Sequence, residues 1–218
     1  SYYKAAVPPE IRIEGEGIDA ATATLLTSIY ENGLGEFAYR NGLTLRGNIH
    51  FPVAATHVGG PSGPMPSGEE PSGLKALLHG EGRAIVAIGG GKDSLVSIEA
   101  LRALGVDQTV AWVGSSPLIK ACAERTGLPT LNVTRALSPR LFEYNKQGAL
   151  NGHIPVTAVN SAILAMAALL SGHGQVVFSN ERSASYGSLI EGTGEVNHQW
   201  SKGWQFEKDF HNHLKTRI

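Results

Sequence analysis

The sequence has one cysteine, almost no net charge and no long apolar run. Cys122 is the single cysteine among 218 residues, so an internal disulfide is excluded within them, and this usage is typical of a reducing compartment. The 18 basic and 19 acidic residues give a net charge of −1, so no bulk field attracts nucleic acid or acidic membranes. The longest apolar stretch, Ala162–Leu170, is far shorter than the ~20 residues of a membrane helix. We therefore expect neither nucleic acid nor a membrane as a partner.

The first ten residues, SYYKAAVPPE, lack a charged segment followed by an apolar one. We therefore expect no signal peptide and a cytoplasmic location. The apolar fraction of 42% and the charged fraction of 17% are ordinary for a globular protein. A chain of this length suits one domain, or one domain with an added lobe, and its oligomeric state stays open.

Composition divides the chain into three zones. Residues 1–57 mix short segments, with a helix predicted over DAATATLLTSIYENG behind the N-cap Asp19 and strands predicted in LTLRGNIHFPVA, and we interpret them as a small N-terminal lobe. Residues 58–73 are dominated by Gly, Pro and Ser, so we expect a flexible linker there, mobile from Gly59 to Gly73. Residues 74–218 are interpreted as the main α/β domain.

Strand and helix patterns alternate in this third zone. The predicted strands are RAIVAIG, DQTVAWVG, LPTLNVTR and QVVFSN, and the predicted helices are KDSLVSIEALRALG, SPLIKACAERTG and TAVNSAILAMAALLSGHG. Gly105 ends the first helix, and Ser116, Pro117 and Gly127 mark the start and end of the second. The third helix is almost wholly apolar, so we expect it to be buried. This alternation predicts an open parallel α/β sheet with right-handed crossovers.

Three consecutive glycines join the first of these strands to its helix. Gly89, Gly90 and Gly91 can adopt positive φ and let phosphate oxygens approach backbone N–H groups at a helix N-terminus, so we interpret them as a phosphate cradle. The segment is not a Walker A loop, because Val86 occupies the place of the first glycine and Asp93 follows the lysine. It is not the dinucleotide fingerprint either, since position 94 is serine. A tight turn without a ligand is the structural alternative.

The segment GGGKDS resembles the PP-loop, S-G-G-x-D-S, of ATP pyrophosphatases, which split ATP into AMP and pyrophosphate while adenylating a substrate. Four positions match and Gly89 replaces the first serine. The resemblance implies an open parallel sheet of PP-loop, adenine nucleotide α-hydrolase-like, type with ATP as cofactor. The residues expected to bind ATP are Gly89, Gly90, Gly91, Lys92, Asp93 and Ser94.

Further segments sharpen this resemblance. In order along residues 30–218, GLGEFAYRNGL, GGGKDS, NGHIPVTAVNSAILAMAALLSGHGQVVFSNERSASYG and EVNHQWSKGWQFE are similar to the MurL family. The resemblance implies an isomerase that uses ATP and Mg²⁺ to epimerise the terminal L-glutamate of UDP-N-acetylmuramoyl-L-alanyl-L-glutamate in peptidoglycan biosynthesis. Its partner is then a small-molecule or peptide substrate ending in glutamate. Family members are longer and carry a cysteine cluster in a further C-terminal part, so this chain is either a fragment or a short relative.

Polar residues around the last predicted strand supply the other site candidates. Glu181 can hold Mg²⁺ or orient Arg182, and Arg182 can bind a carboxylate or phosphate in a bidentate manner. The alternative is that the two residues form an ordinary ion pair at the surface. His153, just ahead of Pro155, can shuttle a proton or be an ordinary loop histidine. Asn160 and Ser161 can bind substrate or cap the helix. The polar residues of the segment NHQWSK can contact phosphate or move a proton, or they can form a solvated loop around Trp200.

From these residues we expect the following sites. The acid and base candidates are His153, Glu181, His198 and Lys202; the substrate-binding candidates are Asn160, Ser161, Asn180, Arg182, Ser183 and Asn197; and the metal candidates are Asp93 and Glu181. His211 and His213 are expected at the surface, and Cys122 in the core. Two rival functions remain open: another PP-loop amide ligase or thiolation enzyme, and a nucleotide-binding domain without catalysis.

Overall fold

The computed structural model describes residues 2–10, 12–13, 17–54, 82–191 and 194–217. The chain divides into two compact units. The sheet unit comprises residues 59–136 and 159–180, and the terminal unit comprises residues 1–58, 137–158 and 181–218. Residues 137–158 and 181–218, which we expected in one domain with the sheet, therefore group with the N-terminal segment. The whole of the expected linker at residues 58–73 lies outside the described residues.

The described helices and strands are as follows. The helices are α1 Ala20–Gly33, α2 Gly35–Arg40, α3 Lys92–Ala103, α4 Pro117–Arg125, α5 Pro139–Lys146, α6 Val156–Leu170 and α7 Trp204–Lys215. The strands are β1 Arg83–Ala87, β2 Asp107–Val113, β3 Thr130–Val133, β4 Gln175–Val177, β5 Ser188–Ile190 and β6 Gly194–Val196. Short 3₁₀ helices span Tyr2–Ala6, Arg182–Ser185 and Trp200–Lys202. None of the helices in these described ranges is long and apolar enough to span a bilayer.

The sheet unit confirms the predicted parallel α/β sheet. Its four strands run parallel in the order β3-β2-β1-β4. In the register of the central strand, Ile85 lies opposite Thr109 on β2 and Val176 on β4. Since all four strands point the same way, the residues that follow them share one edge of the sheet, where open α/β sheets bind ligands.

Apolar side chains cover both faces of this sheet. On one face Val86 and Val110 pack with Ile98 of α3, and the partly buried Cys122 of α4 contacts the same cluster. On the other face Ile85 packs with Leu164 of α6. Alternate residues along a strand point to opposite faces, which explains why neighbouring β1 residues enter different clusters. The predicted core position of Cys122 is confirmed.

Helix α6 corrects one expectation, because it is buried on one side rather than all round. Leu164 and Ala168 are buried against the sheet, whereas Met166 is 57% exposed and Leu170 is 69% exposed. The described residues therefore cover one face of this apolar helix. Composition predicts burial of a helix that is apolar all round, but it does not show how many of its sides meet neighbouring elements.

Capping signals in the sequence fall where the helices begin and end. Asp19 accepts hydrogen bonds from the Thr22 backbone N–H at 3.0 Å and from the Thr22 hydroxyl at 2.9 Å, so it caps α1 as predicted. Ser116 Oγ accepts from the backbone N–H of Ile119 at 3.4 Å at the start of α4. Positive φ values follow α3 at Gly105 and α4 at Gly127, where glycine avoids a Cβ clash.

The predicted strands in residues 43–54 are wrong. Leu45–Asn48 forms a turn closed by the Asn48 N–H on the Leu45 carbonyl, and Val53 makes an isolated bridge with Ile18. A β-propensity pattern needs a partner strand to become a sheet, and the sequence does not show whether one is in reach. The structure also contains α5, α7 and the β5–β6 hairpin, which the sequence reading missed.

Candidate functional site

The glycine loop lies between β1 and α3 at the carboxyl edge of the sheet. Gly90 has φ of +81°, a left-handed conformation that favours glycine, and Gly91 is the N-cap of α3 without a side-chain capping bond. A Cβ placed on Gly89 or on Gly91 meets no atom within 4 Å among the described residues. The loop therefore presents a helix N-terminus to open space, which suits an anion.

The polar residues of the loop differ in how they are held. Ser94 is buried, and its hydroxyl donates to the Gly91 carbonyl at 3.0 Å, so it braces the loop in this structure. Lys92 is exposed and Asp93 is half-buried at the first turn of α3. Beyond β4, Ser179 donates a hydrogen bond to Ser97 Oγ of α3 at 2.7 Å. This bond connects the segment just beyond β4 to α3, the helix that follows the glycine loop.

This loop fits a polyphosphate group. Its helix N-terminus supplies N–H donors, the missing Cβ atoms leave room for phosphate oxygens, and Lys92 adds a positive charge. Among the described residues no three His, Cys, Asp or Glu side chains form a metal cluster. Nucleotide-bound Mg²⁺ commonly uses one or two carboxylates together with phosphates, so Asp93 suits that role. Glu181 lies in the terminal unit and Asp93 in the sheet unit, and their assignment as metal ligands stays a prediction.

The sheet unit also holds three of the substrate-binding candidates. Asn160, in the second turn of α6, has a buried side-chain oxygen without a hydrogen-bond partner among the described residues. Ser161 beside it is buried, and Asn180 is half-buried just beyond β4. Buried acceptors are nearly always satisfied in proteins, so the Asn160 oxygen marks a place where a donor is required. It lies beyond the helix start and does not cap it.

In the terminal unit the structure brings two of the acid–base candidates together. The rings of His153 and His198 lie 6.0 Å apart between centroids and nearly perpendicular, at 88°. Burial lowers the pKa of His153 below its ordinary value; the Glu36 carboxylate opposes this, while His198 and two lysines add to it. His153 is therefore neutral at neutral pH and can accept a proton.

Two residues that sequence reasoning missed adjoin this histidine pair. Lys4 Nζ donates to the Gly152 carbonyl at 3.3 Å and lies 3.7 Å from the centroid of the Phe37 ring, and burial lowers the pKa of this lysine. Glu36 accepts a hydrogen bond from Arg40 at 2.8 Å. No local sequence signal marks Lys4, because 148 positions separate it from Gly152.

The remaining candidates in this unit have structural partners of their own. Glu181 accepts a hydrogen bond from the Ser183 hydroxyl at 3.0 Å at the start of a 3₁₀ helix. Asn197 donates to the Ala184 carbonyl at 2.9 Å and accepts from the Gln199 N–H at 2.8 Å, so its amide shapes the turn that carries His198. Glu181, Arg182, Ser183, Lys202 and His211 are exposed, whereas His213, which we expected at the surface, is half-buried.

The fold and the loop define an α/β protein with a parallel sheet and a glycine-rich loop between its first strand and the following helix. Comparison with known families then identifies the group. The family model described as the MurL N-terminal domain matches residues 1–218, and the chain belongs to this family.

Named relatives agree with this assignment. Over all 218 residues the chain is 64% identical to UDP-N-acetyl-alpha-D-muramoyl-L-alanyl-L-glutamate epimerase of Xanthomonas oryzae pv. oryzae, and it covers 45% of that protein. It is 42% identical over 207 residues, or 95% of its length, to the proteins of the same name from a Micromonospora species and from Salinispora tropica, and it covers 43% and 42% of them. The chain thus spans less than half the length of these relatives. No solved structure matches it.

Proposed function

We propose that this chain is the ATP-binding and proton-transferring part of an epimerase that inverts the terminal L-glutamate of a UDP-muramoyl dipeptide, or a similar peptide, in peptidoglycan precursor synthesis. Its similarity to three proteins named as that epimerase supports the substrate. The observation that supports the use of ATP is the glycine loop at the N-terminus of α3, where a Cβ on Gly89 or Gly91 would meet no atom of the described residues within 4 Å. We propose ATP as the co-substrate at this loop.

The chemistry explains why an epimerase needs ATP. The hydrogen on the α-carbon of the terminal glutamate is scarcely acidic. Its removal leaves a negative charge on the α-carbon, directly beside the negative charge of the α-carboxylate. We propose that a carboxylate oxygen attacks the α-phosphorus of ATP, forming an O–P bond as the bond to the departing pyrophosphate breaks. The acyl-adenylate has no carboxylate charge, and its carbonyl delocalises the carbanion. A base on one face and an acid on the other invert the centre, and water then releases AMP.

In this proposal the following residues take the roles that the reaction needs. The loop N–H groups and Lys92 bind the polyphosphate, and Mg²⁺, held by Asp93 or Glu181, supplies charge neutralisation when bound. His153 acts as the base, because its lowered pKa keeps it neutral at neutral pH. His198 and Lys202 are the candidates for the proton donor, with Glu181 as the remaining one.

The test replaces the matching segment of the Xanthomonas oryzae protein with this chain, since the match covers the whole chain. We expect the chimera to convert ATP to AMP and pyrophosphate, to form D-glutamate by chiral analysis, and to introduce solvent deuterium at the inverted carbon. The variant His153→Gln should still release pyrophosphate but lose deuterium exchange, whereas Asp93→Ala should lose both.

Four outcomes would contradict the proposal. Inversion without ATP, or formation of ADP instead of AMP, excludes adenylation. A product with added nitrogen or sulfur indicates a ligase or thiolation enzyme, and pyrophosphate absent despite nucleotide binding indicates a domain without catalysis.

A further inference from the structure

The terminal unit contains a cavity of about 630 Å³ that the glycine loop and the histidine pair do not use. Its wall is formed by the end of α1, by α2 and the turn that follows, and by the segments around β6 and the start of α7. This volume lies within the range of about 300–1,000 Å³ that is usual for small-molecule sites. The cavity is therefore large enough for a sizeable part of a small-molecule substrate.

Two of the aromatic rings that line this cavity are exposed. Trp204 at the start of α7 is 66% exposed, and Tyr39 of α2 is 47% exposed. Trp200, by contrast, packs edge-on against the buried Phe206 with ring centroids 5.6 Å apart. Large aromatic faces left open in a concave wall suit a planar ring, because stacking then covers apolar surface on both partners.

Three charged groups complete the wall. Glu31 accepts the Gly47 N–H at 2.6 Å and Glu195 accepts the Gly187 N–H at 2.7 Å, so one oxygen of each carboxylate is fixed. In the described part of the chain no donor contacts the second oxygen of either group. Arg46 is exposed, and within the same described part it has no carboxylate partner.

These charges restrict how a ligand can lie. Two carboxylates against one guanidinium repel an anion from most of the wall, so a phosphate group belongs beside Arg46. Sugar hydroxyls are donors, and they suit the second oxygens of Glu31 and Glu195. Together with the exposed rings, this arrangement fits a nucleoside diphosphate whose base stacks on Trp204.

We propose that this cavity binds the uridine diphosphate end of the substrate, with the base on Trp204 and Tyr39 and the diphosphate at Arg46. The assignment of uridine rests on the proposed function, since the substrate in that proposal carries UDP. It gives the terminal unit a role in substrate capture that is separate from proton transfer.

Calorimetry on the 218-residue chain tests the assignment with UDP, uridine and ADP as probes. We expect UDP to bind in this cavity, whereas ADP, for which the glycine loop offers a separate site, should bind with an affinity that does not respond to substitutions in the cavity. Trp204→Ala and Tyr39→Ala should each weaken UDP binding about tenfold, since stacking on one aromatic ring accounts for a factor of this size. Arg46→Gln should weaken UDP binding but leave uridine binding unchanged.

Matched controls lie in the same unit on α5, outside the cavity. Phe142→Ala removes another exposed aromatic ring and Arg140→Gln another exposed guanidinium, and neither should change UDP binding. Thermal unfolding of each variant checks its fold, and Trp204→Leu, which removes the aromatic face but keeps an apolar side chain, replaces Trp204→Ala if the latter unfolds. Unchanged UDP affinity in folded Trp204 and Tyr39 variants overturns the proposal, as does ADP binding that falls as much as UDP binding in them.

The epimerase chimera separates this inference from the proposed function. Trp204→Ala should raise KM for the muramoyl peptide about tenfold and leave kcat unchanged. If the chimera is active but Trp204→Ala leaves its KM unchanged, the cavity assignment is rejected and the proposed epimerase function stands. A folded but inactive chimera, with UDP binding that Trp204→Ala weakens about tenfold, rejects the epimerase and keeps the cavity assignment.

Discussion

Alanine substitutions in the glycine loop separate the folding role of a glycine from a binding role. Gly90 has φ of +81°, whereas Gly89 and Gly91 lie outside the left-handed region. A left-handed conformation costs an L-residue roughly 1–2 kcal/mol, so Gly90→Ala should lower the free energy of unfolding by about that amount. Gly89→Ala creates no clash with the described residues and should raise it by about 0.4–1 kcal/mol, because it reduces the entropy of the unfolded chain. Gly91→Ala creates no clash either, but the preference for glycine over alanine at an N-cap offsets that gain, so we expect little net change in stability.

Binding should follow the opposite order from stability in these variants. If phosphate oxygens occupy the open space at the loop, the methyl groups of Gly89→Ala and Gly91→Ala fill it and weaken ATP binding at least tenfold, although both variants are stable. Urea unfolding measures stability, and calorimetry with ATP and Mg²⁺ measures affinity. Full ATP affinity in both stable variants would refute the phosphate cradle, and an unchanged unfolding free energy for Gly90→Ala would refute the backbone argument.

Three further predictions concern stability. Burial lowers the pKa of His173, whose ring contacts Ser171 Oγ at 2.8 Å and Thr109 Oγ1 at 3.0 Å, so the unfolded chain takes up the proton first. The unfolding free energy should therefore fall as the pH drops below about 6.5, level off below the folded pKa, and show a smaller drop in His173→Gln. Ile98→Ala should cost about 2–5 kcal/mol in urea unfolding, because this fully buried side chain fills the core beneath α3, and Ile98→Val should cost less than half as much. Gly33→Ala places a Cβ 2.8 Å from the Pro155 Cβ and should cost roughly 1–3 kcal/mol, whereas Gly35→Ala, which meets no described atom within 4 Å, should not destabilise; equal melting temperatures for the two would contradict this.

Local signals account for what the sequence could predict. The strands and helices of the sheet unit follow from apolar runs, from caps such as Ser116 and from glycines such as Gly127, all of which act within a few residues. The glycine loop was predictable for the same reason. The buried side of α6 could not be predicted in this way. Leu164 is buried and Met166 is exposed because only one side of the helix meets the sheet, and the sequence does not show which side that is.

Long-range contacts account for what the sequence could not predict. His153 was a candidate from its own segment, but the lysine and carboxylate that surround it come from Lys4 and Glu36, far away in the chain. The cavity likewise joins Arg46 and Trp204 from distant segments. Such groupings have no spacing pattern, since they arise only when the chain has folded.

The two units are interleaved along the chain, which passes from one to the other after residues 58, 136, 158 and 180. Cleaving the backbone once, at any position, therefore cannot release an intact unit. A fragment that ends at residue 136 keeps three strands of the sheet and lacks β4, and one that begins at 137 lacks the central strand β1. Ribosomal synthesis meets the same constraint: the sheet unit becomes complete when residue 180 emerges, and the terminal unit closes last.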